Sequence, residues 1–159
     1  MKSRNDKTNV MRILDLNEIP YESYCYAGTG IVSGMEVAQF LNEDPSKVFK
    51  TLVTVGHSKN NYVFVVPVNR ELDLKKAAAA VSEKSIAMIK SKELLPLTGY
   101  IHGGCSPIGM KKQFVTVFDQ SADEFENIFF SAGKIGYQVK VNPQAVKKIV
   151  PYLFADITV

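Results

Sequence analysis

The chain has 159 residues, a length typical of one domain, and 46% of them are hydrophobic while 22% are charged. This composition is typical of a globular protein and excludes a disordered or fibrous one. The net charge of +3 is too small to identify a nucleic-acid-binding protein by itself, so a polyanionic partner requires a local site. We expect residues 1–159 to form a single domain.

The N-terminal segment does not have the features of an export signal. Residues 1–9 are polar and lead into no apolar stretch with a small-residue cleavage site, and no later apolar run is long enough to span a membrane. We therefore expect a cytoplasmic protein that does not associate with membranes. In that compartment Cys25 and Cys105 are expected to be reduced thiols rather than a disulfide.

Hydrophobic spacing and capping residues predict where the first helices lie. Apolar residues between Val10 and Leu14 are spaced to share one face of a helix, which is predicted over residues 6–17. Ser33 and Glu36 match the capping box, in which the hydroxyl and the carboxylate satisfy each other's backbone N–H groups. A second helix is therefore expected to begin at that serine.

Runs of β-branched and aromatic residues predict the strands, and the short links between several of them favour antiparallel pairing, because a parallel crossover needs a dozen residues or more. Asp73 and Asn142 are predicted to cap two further helices. In chain order the predicted elements are helix 6–17, strand 21–26, helix 33–42, strands 48–55 and 62–68, helix 74–81, strand 86–88, helix 91–97, strands 114–118, 128–130 and 137–141, a helix from residue 143 and a strand at 154–159. The pattern indicates an α+β fold that is largely antiparallel.

None of the standard signatures of hydrolytic or metal-dependent catalysis occurs in the sequence. The nucleophile elbow G-x-S-x-G, the zinc motif H-E-x-x-H, the C-x-x-C pair and the phosphate-binding G-x-x-x-x-G-K-[ST] are all missing. The two histidines and two cysteines do not have the spacing of a metal site. We expect neither a metal ion nor another cofactor.

Lys50 is the first candidate for chemistry, because it places an ammonium group in a run that otherwise predicts a buried strand. It would share a strand face with Leu52 and Thr54. In a structural interpretation, which the pattern alone favours, the side chain extends from the strand end into water. In a functional interpretation, the ammonium group stabilises a phosphate or a developing oxyanion where water is excluded.

Glycine is concentrated in residues 99–112, where four of the ten glycines lie within eleven positions. Loops around Gly103 and Gly104 can aim backbone N–H groups at an anionic or carbonyl oxygen. The loop over residues 131–136 combines a serine hydroxyl, flexible backbone and a lysine in the same way. Tight turns are the simpler explanation of each loop alone, but two such loops together with a lysine in a segment that otherwise predicts a buried strand favour a polar ligand.

His102 and Cys105 raise the alternative of a thiol nucleophile and its base. Catalytic cysteine and histidine residues usually meet across a fold rather than along the chain, so packing or pocket lining is the preferred interpretation.

Three lysine doublets are typical of solvated faces, and they would follow a nucleic-acid backbone only if the fold brought them together. The doublets are at residues 75–76, 111–112 and 147–148.

Four segments together resemble the YbaK/EbsC protein family and, more distantly, the editing domain inserted in bacterial prolyl-tRNA synthetases. They are V-F-K-T-L-V at 48–53, L-D-L-K-K at 72–76, the glycine-rich segment at 99–112 and S-A-G-K-I-G at 131–136. The combination of V-[FY]-K-T-L with G-G-x-S-P-[IL]-G is specific, and the resemblance extends over nearly the whole chain. It implies a single-domain, metal-free cytoplasmic protein with a mixed, partly barrel-like β-sheet flanked by helices.

The resemblance implies hydrolysis of the ester that joins a wrong amino acid to the 3′ end of a tRNA, typically cysteine on the proline tRNA. Carried over by motif position, Lys50 is the family's essential lysine and the expected catalytic residue. For cysteine, the family is thought to use the substrate's own thiol as the nucleophile, which agrees with the missing protein nucleophile. The residues implied to bind the substrate are Tyr26, Gly103, Gly104, Ser131 and Gly133.

Mischarged tRNA is the implied substrate, and prolyl-tRNA synthetase is the implied protein partner. The alternatives are a deacylase of alanyl-tRNA(Pro), a non-catalytic module that binds tRNA or a synthetase, and, ranked last, a cysteine hydrolase that uses Cys105.

Two positions depart from the family pattern. Gln138 stands where relatives often carry an acidic residue, and no aromatic residue is evident near Ser33. Both positions bear on substrate choice.

Overall fold

The computed structural model describes residues 7–159, and within that range it contains five α-helices, eight β-strands and two short 3-10 helices. In chain order these are α1 (Asn9–Leu16), β1 (Tyr21–Cys25), α2 (Gly34–Leu41), a 3-10 helix (Pro45–Lys47), β2 (Phe49–Gly56), β3 (Asn61–Pro67), α3 (Leu74–Ala80), β4 (Ile86–Met88), α4 (Ser91–Thr98), β5 (Val115–Asp119), a 3-10 helix (Gln120–Glu124), β6 (Ile128–Ser131), β7 (Tyr137–Val141), α5 (Pro143–Val146) and β8 (Tyr152–Ala155). None of these helices is long and apolar enough to cross a membrane.

The predicted elements are found with small differences at their ends. The predicted start of the first helix, at residue 6, lies outside the described residues. The last strand is β8 rather than the predicted 154–159, because the chain pairs with β5 from Tyr152 to Ala155.

The strands form two sheets, which confirms the predicted α+β fold. One sheet has the order β1-β7-β6 and is antiparallel, and the other has the order β4-β2-β3-β5-β8. An isolated bridge between Val48 and Phe129 links the residue before β2 to β6. The sheets do not close into a barrel, so the partly barrel-like character implied by the resemblance is limited to this contact.

The five-stranded sheet is mixed, because two of its pairings are parallel. β2 pairs with β3 and β4 in antiparallel register, whereas β3 pairs with β5, and β5 with β8, in parallel register. Parallel neighbours need long connections. The chain supplies them through α3, β4 and α4 before β5, and through the three-stranded sheet before β8.

The predicted capping residues begin three of the helices. The Ser33 hydroxyl accepts a hydrogen bond from the Glu36 N–H (3.2 Å) and donates one to the Glu36 carboxylate (3.1 Å). The carboxylate thus bonds the serine hydroxyl instead of the serine N–H that the capping box predicts. Asp73 and Asn142 cap α3 and α5 through their side chains, as predicted.

The main core lies between the two sheets. Val63 and Phe118 from the five-stranded sheet pack with Phe130 and Val139 from the three-stranded sheet. α1 adds its apolar face, including the fully buried Leu14. Each large side chain removed from water in this way contributes roughly 1.5–3 kcal/mol.

Two smaller clusters fix the helices that flank the sheets. α3 packs its buried alanines against Phe64 on the other face of the five-stranded sheet. α2 packs Val37 with Tyr26 and Phe129. The second cluster places α2 beside the start of β2, where Lys50 lies.

Backbone contact joins the two glycine-containing loops that sequence analysis singled out. Gly104 is buried, and a Cβ atom there would lie 3.0 Å from the Ile135 nitrogen and 3.2 Å from the Lys134 carbonyl carbon. A larger residue would separate the loops, because main-chain atoms have little freedom to move aside. The segment at 99–112 and the loop at 131–136 are therefore held in direct contact.

A second glycine joins the loop at 131–136 to the end of β1. Gly136 has a φ of +95°, and a Cβ atom there would lie 2.7 Å from the Ala27 Cα. Its carbonyl accepts a hydrogen bond from the Tyr26 N–H (2.7 Å). Both the backbone conformation and the close approach require glycine.

We expect Gly136→Ala to destabilise the fold more than Gly28→Ala, which is its matched control. Gly28 also has a positive φ, of +84°, but a Cβ there would meet nothing within 4 Å. The control measures the backbone strain alone, about 1 kcal/mol, and the clash with Ala27 adds roughly 1–3 kcal/mol. Urea unfolding of both variants measures the difference, and equal losses of stability would contradict the close approach.

Candidate functional site

A cavity of about 320 Å³ lies where α2, the start of β2 and the two glycine-containing loops meet. This volume is at the lower end of the range of small-molecule pockets. Its apolar wall includes Val32, Val37 and Leu94, and its polar lining is concentrated on β2, β7 and the loops. No carboxylate from the described part of the chain lines it. The polar lining residues are Tyr26, Ser33, Lys50, Thr51, His102, Cys105, Ser131 and Gln138.

The structure brings four of the six predicted site residues to this cavity. Lys50, Tyr26, Gly103 and Ser131 are among its lining residues. Gly104 and Gly133 are not.

The two glycines outside the lining pack the loops instead. Gly104 contacts the backbone of the loop at 131–136, as described above. Gly133 has a φ of +90°, and a Cβ there would lie 2.9 Å from Val10 and 3.0 Å from Tyr100. These two glycines pack the loops that form the cavity walls.

Lys50 reaches the cavity from the second residue of β2. Its side chain is 30% exposed, and its Nζ lies 3.7 Å from a carboxylate oxygen of Glu71, whose own side chain is 83% exposed. An ion pair with so exposed a partner is weak. The ammonium group therefore stays available to a ligand. Its partial exposure lies between the solvated side chain of the structural interpretation and the water-excluded ammonium group of the functional one.

The edge of β2 is open toward the cavity. β4 pairs with β2 only from Thr54 to Gly56, and the bridge to β6 is at Val48. Between these contacts, Thr51 and its neighbours line the cavity. The Thr51 hydroxyl is buried and has no hydrogen-bond partner within residues 7–159. A buried hydroxyl without a partner costs free energy, so this group is suited to a ligand atom.

Gln138 presents a second unpartnered polar group. The residue is 6% exposed, and its buried Oε1 has no hydrogen-bond partner in the described chain. Its Nε2 lies 3.5 Å from the Tyr26 hydroxyl oxygen, which is a long hydrogen bond. Burial raises the pKa of Tyr26, so its phenol stays protonated and can donate to a ligand.

Gly103 contributes backbone rather than a side chain. Its φ is +88°, and a Cβ there would lie 2.7 Å from Val32. Its N–H donates to no acceptor among the described residues. Glycine therefore permits this loop to pack closely against Val32, and its N–H remains a donor for an anionic or carbonyl oxygen.

Cys105 and His102 both line the cavity, yet they do not form a nucleophile and base. Within residues 7–159 no hydrogen bond joins them. Burial raises the pKa of the Cys105 thiol to about 12, so the thiol is protonated at neutral pH. Cys105 is therefore a packing and lining residue, as the sequence analysis preferred.

Sequence reasoning missed some of the lining residues. Thr51 directly follows Lys50 in the V-F-K-T-L motif, so the motif itself was a signal for it. Leu94 and Val32 carry no local signal, because their positions depend on how α4 and the segment before α2 pack against the loops.

No group of three or more His, Cys, Asp and Glu side chains in the described chain is arranged to hold a metal ion.

Comparison with known proteins identifies the family. The model of the aminoacyl-tRNA editing domain family matches residues 31–149. A protein of Enterococcus faecalis, named "Putative Cys-tRNA(Pro)/Cys-tRNA(Cys) deacylase EbsC", is 44% identical over 158 residues, covering 99% of this chain and 96% of its own length. The chain therefore belongs to the aminoacyl-tRNA editing domain family. This agrees with the YbaK/EbsC resemblance.

Two further matches are a prolyl-tRNA synthetase and a solved structure whose description names that synthetase. A proline–tRNA ligase of Pseudothermotoga lettingae is 26% identical over 125 residues, which are 78% of this chain but 21% of the ligase. A crystal structure described as a putative trans-editing enzyme for prolyl tRNA synthetase superposes with a TM-score of 0.81 at 21% identity, covering 100% of this chain and 99% of that one. The second match establishes a shared fold.

We expect the two cysteines to react very differently with iodoacetamide. Cys25 is exposed. With a pKa of about 12 for Cys105, only about one Cys105 thiol in ten thousand is ionised at pH 8. Mass spectrometry after labelling at pH 8 should find modified Cys25 and unmodified Cys105, and labelling of Cys105 should rise with pH. Equal labelling at neutral pH would contradict the protonated thiol.

We expect Gln138→Met to maintain or raise the stability of the fold. Methionine fills a similar volume without leaving a buried oxygen unpartnered, so the change removes a cost of about 1–3 kcal/mol. The exposed Gln39 provides a control, since Gln39→Met should change stability by less than about 0.5 kcal/mol. Thermal unfolding measures both. A clear loss of stability in Gln138→Met would contradict the unpartnered oxygen.

Proposed function

We propose that this protein hydrolyses the aminoacyl ester of mischarged tRNA, with cysteinyl-tRNA(Pro) as its principal substrate. The observation that carries the proposal is that Lys50 and Gly103, whose N–H donates to no acceptor among the described residues, line one cavity to which the described chain contributes no carboxylate. Both groups stabilise negative charge, which develops on the ester carbonyl oxygen when it is attacked. Family membership supports the reaction class.

The nucleophile in this proposal comes from the substrate. The cysteinyl thiol loses its proton, its sulfur bonds to the carbonyl carbon of the same amino acid, and the bond from that carbon to the ribose oxygen breaks. The ribose oxygen takes up a proton, which frees the tRNA, and water then opens the cyclic thioester. The protonated state of Cys105 supports this assignment, because the protein has no activated thiol at the cavity.

The unpartnered groups of the cavity fit an amino acid. The Gln138 oxygen needs a donor, which an α-ammonium group or a thiol supplies. The Thr51 hydroxyl can donate or accept. The cavity volume of about 320 Å³ is large enough to hold a cysteinyl group. Neutral Gln138 binds an amino group less strongly than a carboxylate would. In this proposal Lys50 and Gly103 therefore contribute more to substrate binding than Gln138 does, through the reacting ester.

The partners follow from the proposed reaction. The Enterococcus relative is named for cysteine on both the proline and the cysteine tRNA, so we propose the charged acceptor end of tRNA as the ligand, with prolyl-tRNA synthetase as a protein partner. Residues 1–159 acting as one domain, and the cytoplasmic location, stay predictions.

We expect Lys50→Met to lower the rate of cysteinyl-tRNA(Pro) deacylation by at least about 100-fold, the effect of removing one stabilising group from a developing oxyanion. Lys75→Met is the control, because Lys75 is exposed on α3 and does not line the cavity. Single-turnover deacylation under equal protein concentrations measures both. Wild-type activity in the Lys50 variant would contradict the proposed role.

A panel of charged tRNAs separates the proposed substrate from its alternatives. Wild-type protein should deacylate cysteinyl-tRNA(Pro) and leave prolyl-tRNA(Pro) intact. Faster loss of alanyl-tRNA(Pro) would identify an alanine editor, and cysteinyl-tRNA(Cys) tests whether the tRNA body matters. Binding of every tRNA without turnover of any would identify a non-catalytic module.

A further inference from the structure

Positive charge is concentrated in one segment beside the cavity. Residues 84–118 contain five lysines and one carboxylate, Glu93, so their net charge is +4 while the whole chain carries +3. All other residues together are therefore slightly negative. The next eight residues, 119–126, contain four carboxylates and no basic residue. The chain is electrically asymmetric although its net charge is small.

Helix α4 lies at the centre of the positive segment and forms a wall of the cavity. Leu94 lines the cavity. Lys92, Pro96 and Leu97 line a separate open groove, which Lys59 borders from the β2–β3 hairpin. The helix thus separates the proposed aminoacyl site from a groove whose charged lining residues are Lys59, Lys92 and Glu93.

Lysines stand at both ends of this helix. Lys90 is the residue before its first turn, and Lys92 is in that turn. At the other end, the Lys111 N–H donates to the Thr98 carbonyl (3.0 Å), and the Lys111 side chain passes 3.3 Å from where a Cβ on Gly99 would be. Eight residues of helix span about 12 Å. We call Lys90, Lys92, Lys111 and Lys112 the α4 lysines.

The α4 lysines are not neutralised by the protein. All four are exposed, and none forms an ion pair within the described residues. The one carboxylate of the segment, Glu93, accepts a hydrogen bond from the Lys90 backbone N–H (2.9 Å) and forms no ion pair with these lysines, so the segment keeps its net charge of +4. The positive charge is therefore directed to solvent or to a partner.

We propose that the α4 lysines dock the phosphate backbone of the tRNA acceptor end while the aminoacyl group occupies the cavity. The proposal rests on the proposed function, which places the ester in the cavity and the RNA outside it. Exposed ammonium groups on both ends of a cavity wall match a strand of phosphates that leaves the cavity. The carboxylate-rich segment at 119–126 contributes no residue to the cavity or to the groove beside α4.

The test measures binding of an uncharged acceptor-stem minihelix of tRNA(Pro) by fluorescence anisotropy over a range of salt concentrations. The double variant Lys92→Gln/Lys111→Gln should weaken binding about ten-fold or more and make the salt dependence shallower. The control is Lys75→Gln/Lys148→Gln, which removes the same charge from exposed lysines outside α4. The control should bind like the wild type. Lys92→Arg/Lys111→Arg keeps the charge and should also bind like the wild type.

Equal weakening in both glutamine variants, or unchanged binding in both, would overturn the proposal. Hydrolysis of cysteine methyl ester, which carries no RNA, separates this result from the proposed reaction. The Lys92/Lys111 variant should hydrolyse the methyl ester at the wild-type rate while its kcat/KM for cysteinyl-tRNA(Pro) falls. A wild-type protein that hydrolyses neither ester contradicts the proposed function, and the minihelix measurement then still decides whether α4 docks RNA.

Discussion

The site depends on one constraint: two loops approach each other so closely that their backbones touch. Gly104 and Gly136 permit contacts that any Cβ would obstruct. Through these contacts, Gly103, Ser131 and Tyr26 become walls of one cavity although they are far apart in sequence. Gly104 packs the loops together, whereas its neighbour Gly103 lines the cavity. Both residues belong to the G-G-x-S-P-[IL]-G motif.

Among the described residues, the charged lining of that cavity is positive only. The residues that line it include one lysine, a glycine whose N–H donates to no acceptor in the described chain, and two neutral side chains with unpartnered oxygens, but no carboxylate of that chain. Such a space favours an oxyanion over a cation. The same sign of charge continues outside along α4, so the proposed aminoacyl site and the proposed RNA surface are parts of one electropositive region.

Local pattern predicted most of the fold, and non-local packing accounts for what it missed. Apolar spacing and caps such as Ser33, Asp73 and Asn142 fix the elements through contacts between neighbours in sequence. The parallel pairings of β5 depend on distant strands, which no short-range pattern encodes. In the site, the motifs led to Lys50 and Gly103, whereas Leu94 became a lining residue through tertiary packing of α4.

The most direct measurement of the central claim is a crystal structure with a hydrolysis-resistant amide analogue of 3′-cysteinyl-adenosine. The account predicts that the analogue's carbonyl or phosphate oxygens lie within hydrogen-bond distance of the Lys50 Nζ and the Gly103 N–H, with the cysteinyl side chain in the cavity beside Gln138. A complex in which Cys105 or His102 contacts the carbonyl carbon, and Lys50 remains paired with Glu71, would contradict it.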